Sequence, residues 1–148
     1  MFRDNMKHFT VILLMLIPLS LGAKDFKEQY ISRGMTYMSF GESIALTDPR
    51  NPRVITLDPW PEWIFFLSDG VHTVEQLMVE VESQYKNGIP KDVRDTVTSV
   101  IKQLEKEKII VLRDEPKKLP YYLEVPKEKW DSELAKKLML QDGFIKAE

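Results

Sequence analysis

The turn at Asp69-Gly70 most constrains how this chain can fold, because it separates two segments with helical patterns. Before it, the apolar run at residues 63–67 predicts a short helix, which the Asp-Gly pair ends. After it, Thr73 and Gln76 have the spacing of a capping box, in which each side chain accepts the other residue's backbone N–H. The second helix then carries one apolar stripe, formed by Val74, Leu77, Met78, Val81 and Tyr85.

A third helix is predicted at residues 91–106, with Pro90 in the first turn, where helices tolerate proline. Lys106 and Lys108 suit the negative end of its dipole. The β-branched run at 109–112 then predicts a short strand. The apolar stripe of the third helix consists of Val93, Val97, Val100, Ile101 and Leu104.

Three short strands are predicted ahead of these helices, at residues 35–40, 43–46 and 53–57. The two prolines between the second and third strands, Pro49 and Pro52, place a loop there, since proline interrupts a sheet. Consecutive short strands favour an antiparallel meander. We therefore predict an α+β fold, winged-helix-like, with a three-stranded antiparallel sheet followed by three helices and then a C-terminal strap and helix.

Three motifs follow one another along the chain, namely Leu57-Asp58, the apolar run 63–67 and the segment Asp69-Gly70-x-x-Thr73-Val74-Glu75-Gln76-Leu77. In this pattern, residues 30–112 resemble the PqqD-like family, whose domain is also called the RiPP precursor peptide recognition element. One departure is Glu107-Lys108, where the family commonly has a Gly that ends the last helix.

The resemblance implies a non-catalytic adaptor or chaperone. Such domains capture an extended precursor peptide and present it to a maturation enzyme, often a radical S-adenosylmethionine enzyme. In this chain the peptide would add beside strand 53–57 and lie against helix 91–106, because a free strand edge offers unpaired N–H and C=O groups. The expected peptide-binding residues are Arg53, Val54, Ile55, Thr56, Leu57, Arg94, Thr98, Ile101 and Lys102.

Residues 1–23 predict a secretory signal peptide or an uncleaved membrane anchor. The apolar stretch 9–21 follows Arg3 and Lys7 and leads to the small residues Gly22 and Ala23. Its 13 residues fall short of the roughly 20 that a spanning helix needs. We expect a periplasmic, secreted or membrane-attached protein, or a cytoplasmic one if this segment is not a functional signal. Export would favour a partner in the cell envelope over a cytoplasmic maturation enzyme.

Residues 113–148 form a C-terminal extension that the resemblance does not reach. A charged linker at 113–118 leads to an apolar segment at 119–126 that is expected to be extended, because prolines bracket it. A helix is predicted from about Glu128 to Gln141, ended by Gly143. This extension could fold across the domain as a strap or dock on a partner. In the second case the protein would be a small accessory subunit of an envelope complex.

The composition argues against catalysis and nucleic-acid binding. The chain has no cysteine and only two histidines, His8 and His72, so we expect no metal site. Without a Gly-rich phosphate loop or a carboxylate pair in a shared cleft, we expect neither an enzyme nor a cofactor. A winged-helix nucleic-acid binder is the less favoured alternative. The net charge is −2, and acidic residues nearly cancel the Lys and Arg of the third helix.

Overall fold

The structure is a computed structural model that describes residues 24–147. Within that range, single turns of 3₁₀-helix lie at Phe26–Glu28 and Lys127–Lys129. The predicted signal or anchor at 1–23 lies outside the described residues. The strands are β1 (Tyr30–Arg33), β2 (Thr36–Phe40), β3 (Ser43–Thr47), β4 (Val54–Thr56), β5 (Asp69–Thr73) and β6 (Ile110–Arg113). The helices are α1 (Pro59–Leu67), α2 (Val74–Glu82), α3 (Val93–Lys106), α4 (Tyr121–Glu124) and α5 (Ser132–Gln141).

The predicted α+β class and the antiparallel meander are confirmed. Strands β2, β3 and β4 pair in that order, and Leu46 of β3 lies between Tyr37 of β2 and Ile55 of β4. The β2–β3 turn contains Gly41, whose φ of +61° is a conformation that glycine adopts without strain. Strand β4 spans three residues rather than the predicted five.

A second antiparallel sheet, in the order β5-β1-β6, was not predicted from the sequence. Its β5 strand occupies the Asp69-Gly70 segment, which the pattern presented only as a turn. Residue Tyr30 pairs with Thr73 on one side and with Arg113 on the other. Strand β5 owes its conformation to this pairing with β1 rather than to strand-forming residues of its own.

The capping box at the start of α2 is confirmed. The Thr73 N–H donates to Gln76 Oε1 at 2.8 Å, and the Gln76 N–H donates to Thr73 Oγ1 at 3.2 Å. The stripe that follows is buried at four of its five positions, which pack into a core shared by both sheets and the helices α1 to α3. The capping box therefore sets the start of α2 so that this stripe faces the core.

Helix α3 begins at Val93, two residues later than predicted, because Lys91 and Asp92 form a turn. The helix ends at Lys106, and Lys108, two residues later, has a φ of +63°, a left-handed conformation. The Ile109 N–H then donates to the Leu104 carbonyl oxygen at 2.9 Å, as in a Schellman motif. Lys108 thus adopts a backbone conformation that favours glycine, and it does so directly after the end of α3.

The C-terminal extension lies against the rest of the described chain. The expectation that residues 119–126 are extended is wrong, because α4 forms within them. Helix α5 begins later than predicted: the Asp131 side chain accepts the Leu134 N–H at 3.1 Å and caps it. Its end at Gly143, with a φ of +72°, is confirmed. The extension has its own apolar cluster, formed by Leu119, Tyr122, Leu123, Ala135 and Met139.

Buried Arg33 joins the extension to the domain. Its Nε donates to the Phe65 carbonyl oxygen at 3.2 Å, and its Nη2 donates to that of Phe66 at 3.1 Å. Its Nη1 donates to the Leu123 carbonyl oxygen at 3.2 Å. Carbonyl groups at the C-terminal end of a helix lack partners within the helix, so Arg33 supplies donors to the ends of α1 and α4 together.

Candidate functional site

Strand β4 forms one edge of its sheet. Among residues 24–147 it pairs with β3 alone, so its outer side carries backbone groups without a strand partner. Val54 is 71% exposed, Thr56 is also exposed, and Ile55 between them packs against the core. An edge strand with this alternation can accept a further strand.

An open groove of about 350 Å³ lies between the end of β4 and helix α3. Its apolar surface comes from Leu57, Val100 and Leu104. Its charged lining is acidic, since Asp58 and Glu107 contribute carboxylates and the lining includes no Lys or Arg. The remaining lining residues are Thr56, Pro61, Ser99 and Gln103. The groove therefore offers an apolar surface with an acidic rim.

The strand residues predicted for the site lie at the edge of this groove. Thr56 and Leu57 line it, and Val54 and Ile55 precede them along the same strand. Arg53 extends towards the end of α3, where its Nη2 donates to the Glu107 carbonyl oxygen at 2.8 Å. This bond fixes the start of β4 against the helix that forms the opposite wall.

The helix residues predicted for the site, by contrast, do not line the groove. Arg94 is bound to Glu75 and Glu82 of α2, at 2.8 and 2.7 Å. Ile101 is completely buried in the core. The half-buried Thr98 also lies outside the lining, and the Lys102 Nζ lies 5.4 Å from the centre of the Phe26 ring.

The difference between the predicted residues and the groove lining follows from helical geometry. Successive residues of an α-helix point about 100° apart, so a choice that is wrong by one or two residues selects a different face. The groove uses the face of α3 that carries Ser99, Val100, Gln103 and Glu107. The sequence pointed to this face through Val100, which belongs to the predicted apolar stripe. In the structure the core leaves Val100 half-buried, so part of its side chain lines the groove.

The C-terminal extension covers the opposite edge of the sheet. The carboxylate of Glu128 accepts the backbone N–H of Ser39, in β2, at 2.9 Å. The turn Lys127–Lys129 contacts β2 as well. No described residue of the extension lines the groove beside β4. The extension therefore protects one edge of the meander and leaves the other accessible.

In the range 24–147, no group of three or more His, Asp or Glu side chains is arranged to hold a metal ion. No helix in this same part of the chain is long and apolar enough to cross a membrane.

Comparison of the chain with protein-family models, with curated proteins and with solved structures finds no match.

Proposed function

We propose that this protein is a non-catalytic peptide-binding adaptor that takes up an extended segment as an added strand on β4. The observation that carries the proposal is the open groove between the free edge of β4 and helix α3. The resemblance of residues 30–112 to PqqD-like proteins supports the same position. Backbone pairing with β4 would supply affinity, and the groove would select side chains.

The groove indicates what kind of segment would fit. In an added strand, every second side chain faces the helix side of the sheet. Those side chains would meet Leu57, Val100 and Leu104, so apolar residues are expected there. A Lys or Arg beside them would be favoured by Asp58 and Glu107. A volume of about 350 Å³ lies within the range of roughly 300–1,000 Å³ found for ligand pockets.

The cellular partner depends on the N-terminal segment. If residues 1–23 direct export or membrane attachment, the bound segment belongs to an envelope protein, and the chain is an adaptor or accessory subunit there. If they do not, the partner is a precursor peptide with its maturation enzyme. The mass of the mature protein from fractionated cells decides between the two. A chain that begins at Ala23 or Lys24 supports export, and an intact cytoplasmic chain contradicts it.

Binding can be tested with peptides selected from a random displayed library and then synthesised. Two neighbouring exposed residues of α3 provide a matched pair of variants. Gln103→Trp places a large ring in the groove, whereas Lys102→Trp places the same ring outside it. We expect calorimetry to show at least about a tenfold loss of affinity for Gln103→Trp alone. Equal losses in both variants, or a loss only in Lys102→Trp, would contradict the assigned groove.

Strand addition has a separate test. A selected peptide is synthesised with N-methyl groups at alternate residues, in both phases, because methylation removes a backbone donor. In an antiparallel or parallel ladder, only alternate residues of the added strand donate their backbone N–H groups to β4. Methylation in one phase therefore removes these donors, and methylation in the other phase does not. We expect one phase to abolish binding and the other to retain it. If neither phase weakens binding, the segment does not pair as a strand.

A further inference from the structure

A second cavity, of about 250 Å³, lies between the outer face of the β5-β1-β6 sheet and the C-terminal extension. It is distinct from the groove beside β4, and none of the groove's lining residues lines it. Five cationic side chains and one carboxylate line it, a formal excess of four positive charges. These six residues are Arg33, Arg50, Arg113, Lys117, Lys118 and Asp142.

Two of the arginines are held in place by groups of the protein. Arg33 donates to backbone carbonyl oxygens, as described above. Arg50 donates from Nε to Asp48 Oδ1 at 2.8 Å and from Nη2 to the Gly34 carbonyl oxygen at 2.8 Å. The Arg50 guanidinium also lies 4.1 Å from the centre of the Phe144 ring. These contacts hold both guanidinium groups in place, and none of them involves Asp142, whose carboxylate lines the cavity.

The other three cations lack such compensation. The Nε of Arg113 is buried and has no hydrogen-bond partner among residues 24–147. Lys117 and Lys118 form no ion pair with any carboxylate in the described chain. The carboxylate of Asp142 already accepts the hydroxyl of Tyr122 at 2.9 Å. Like charges that line one cavity repel each other, so an anion bound in the cavity would be favourable.

We propose that this cavity binds a phosphate group, either as inorganic phosphate or as a small phosphate monoester. Phosphate carries several acceptor oxygens and close to two negative charges, which suits a cavity lined by Arg113, Lys117 and Lys118. The bound group would contact Arg113 of β6 together with Lys117 and Lys118 of the linker. It would therefore hold the extension against the first sheet.

The test uses the full chain and inorganic phosphate, titrated by calorimetry at constant ionic strength. Lys117→Gln/Lys118→Gln removes two exposed cations of the cavity and should leave the protein folded. Lys136→Gln/Lys137→Gln removes two exposed cations of α5, outside the cavity lining, as the matched control. We expect the first double variant to bind phosphate about tenfold more weakly or worse, and the control to retain the wild-type affinity.

A second readout follows from the position of the site. Phosphate should slow proteolysis of the linker at 113–118 in the wild type, while chloride at the same ionic strength should not. Tighter binding of glycerol phosphate than of inorganic phosphate supports a monoester, and equal binding supports recognition of the phosphate group alone.

Three results would overturn the proposal. One is no heat of binding and no protection up to about 10 mM phosphate. Another is an equal loss of affinity in both double variants, which would show general charge attraction. The third is binding of citrate without binding of phosphate, which would show that the cavity selects carboxylates. Because peptide binding at β4 uses other residues, failure of one proposal leaves the other intact.

Discussion

The backbone of Lys117 crosses directly over Gly70. The Lys117 N–H donates to the Gly70 carbonyl oxygen at 2.9 Å, and a Cβ on Gly70 would overlap the carbonyl oxygen of Lys117. Gly70 also has a φ of +83°, which side-chain-bearing residues rarely adopt. The glycine of the Asp-Gly turn is thus required both by its own backbone and by the extension that packs on it.

Replacement of Gly70 by alanine is expected to destabilise the protein by roughly 3 kcal/mol or more. The strain of the left-handed conformation and the overlap with the Lys117 backbone add together. Urea unfolding measures the loss. Gly41→Ala is the matched control, because Gly41 has a φ of +61° with open space around it. That variant should cost only about 1 kcal/mol, and equal costs would show that the close approach of Lys117 contributes nothing.

Lys108→Gly is expected to stabilise the protein by about 0.5–1 kcal/mol. A glycine relieves the left-handed strain at φ +63° and keeps the two hydrogen bonds that end α3. Thermal and urea unfolding of the variant check this. The control is Lys106→Gly, inside the last turn of α3, which should destabilise by roughly 0.5–1 kcal/mol. If both variants lose stability, Lys108 is not strained in solution.

The ion pairs of Arg94 are expected to make stability depend on pH. Hydrogen bonds from Arg94 hold the pKa values of Glu75 and Glu82 below their usual 4.5. Since the folded-state pKa is the lower one, this stabilisation is present above pH 4.5. It is lost as pH falls through the folded-state values.

Arg94→Gln should therefore reduce stability more at about pH 7 than at about pH 3, as measured by urea unfolding at both. The effect should also shrink at high salt, because the pairs are partly exposed. Lys91→Gln is the control, since Lys91 forms no ion pair within residues 24–147. A loss for Arg94→Gln that is the same at both pH values would mean that its apolar stem, rather than its charge, stabilises the fold.

Arg33→Lys is expected to destabilise the protein by about 2 kcal/mol, although the charge is kept. A lysine cannot place donors on the carbonyl oxygens at the ends of both α1 and α4, so buried acceptors lose their partners. Limited proteolysis should then cut the linker at 113–118 faster than in the wild type. Unchanged stability and cleavage would show that Arg33 does not hold the extension.

Much of the local structure was predictable, because it depends on neighbours along the chain. The Thr73 and Gln76 capping box, the buried stripe of α2 and the stop at Gly143 need only residues within one or two helical turns. The β2-β3-β4 meander also followed from alternation and short turns. Of the residues predicted for the site, those of the edge strand lie beside the groove, because the order of the meander makes β4 an edge.

The parts that the sequence did not determine all depend on contacts between distant residues. Strands β1 and β5 form because they pair with each other, and β1 also pairs with β6, more than 70 residues away. The face of α3 that lines the groove is set by how the helix packs on both sheets, and Val100 remains half-buried only for that reason.

The sequence by itself determined the start of α2, the end of α5 and which stripes are apolar, since capping and periodicity are local. Only the tertiary structure decided that the extension covers β2 and leaves β4 open, and that its lysines meet Arg113 across a cavity. Such placements are set by the packing of surfaces far apart in the chain, and no local pattern of residues encodes them.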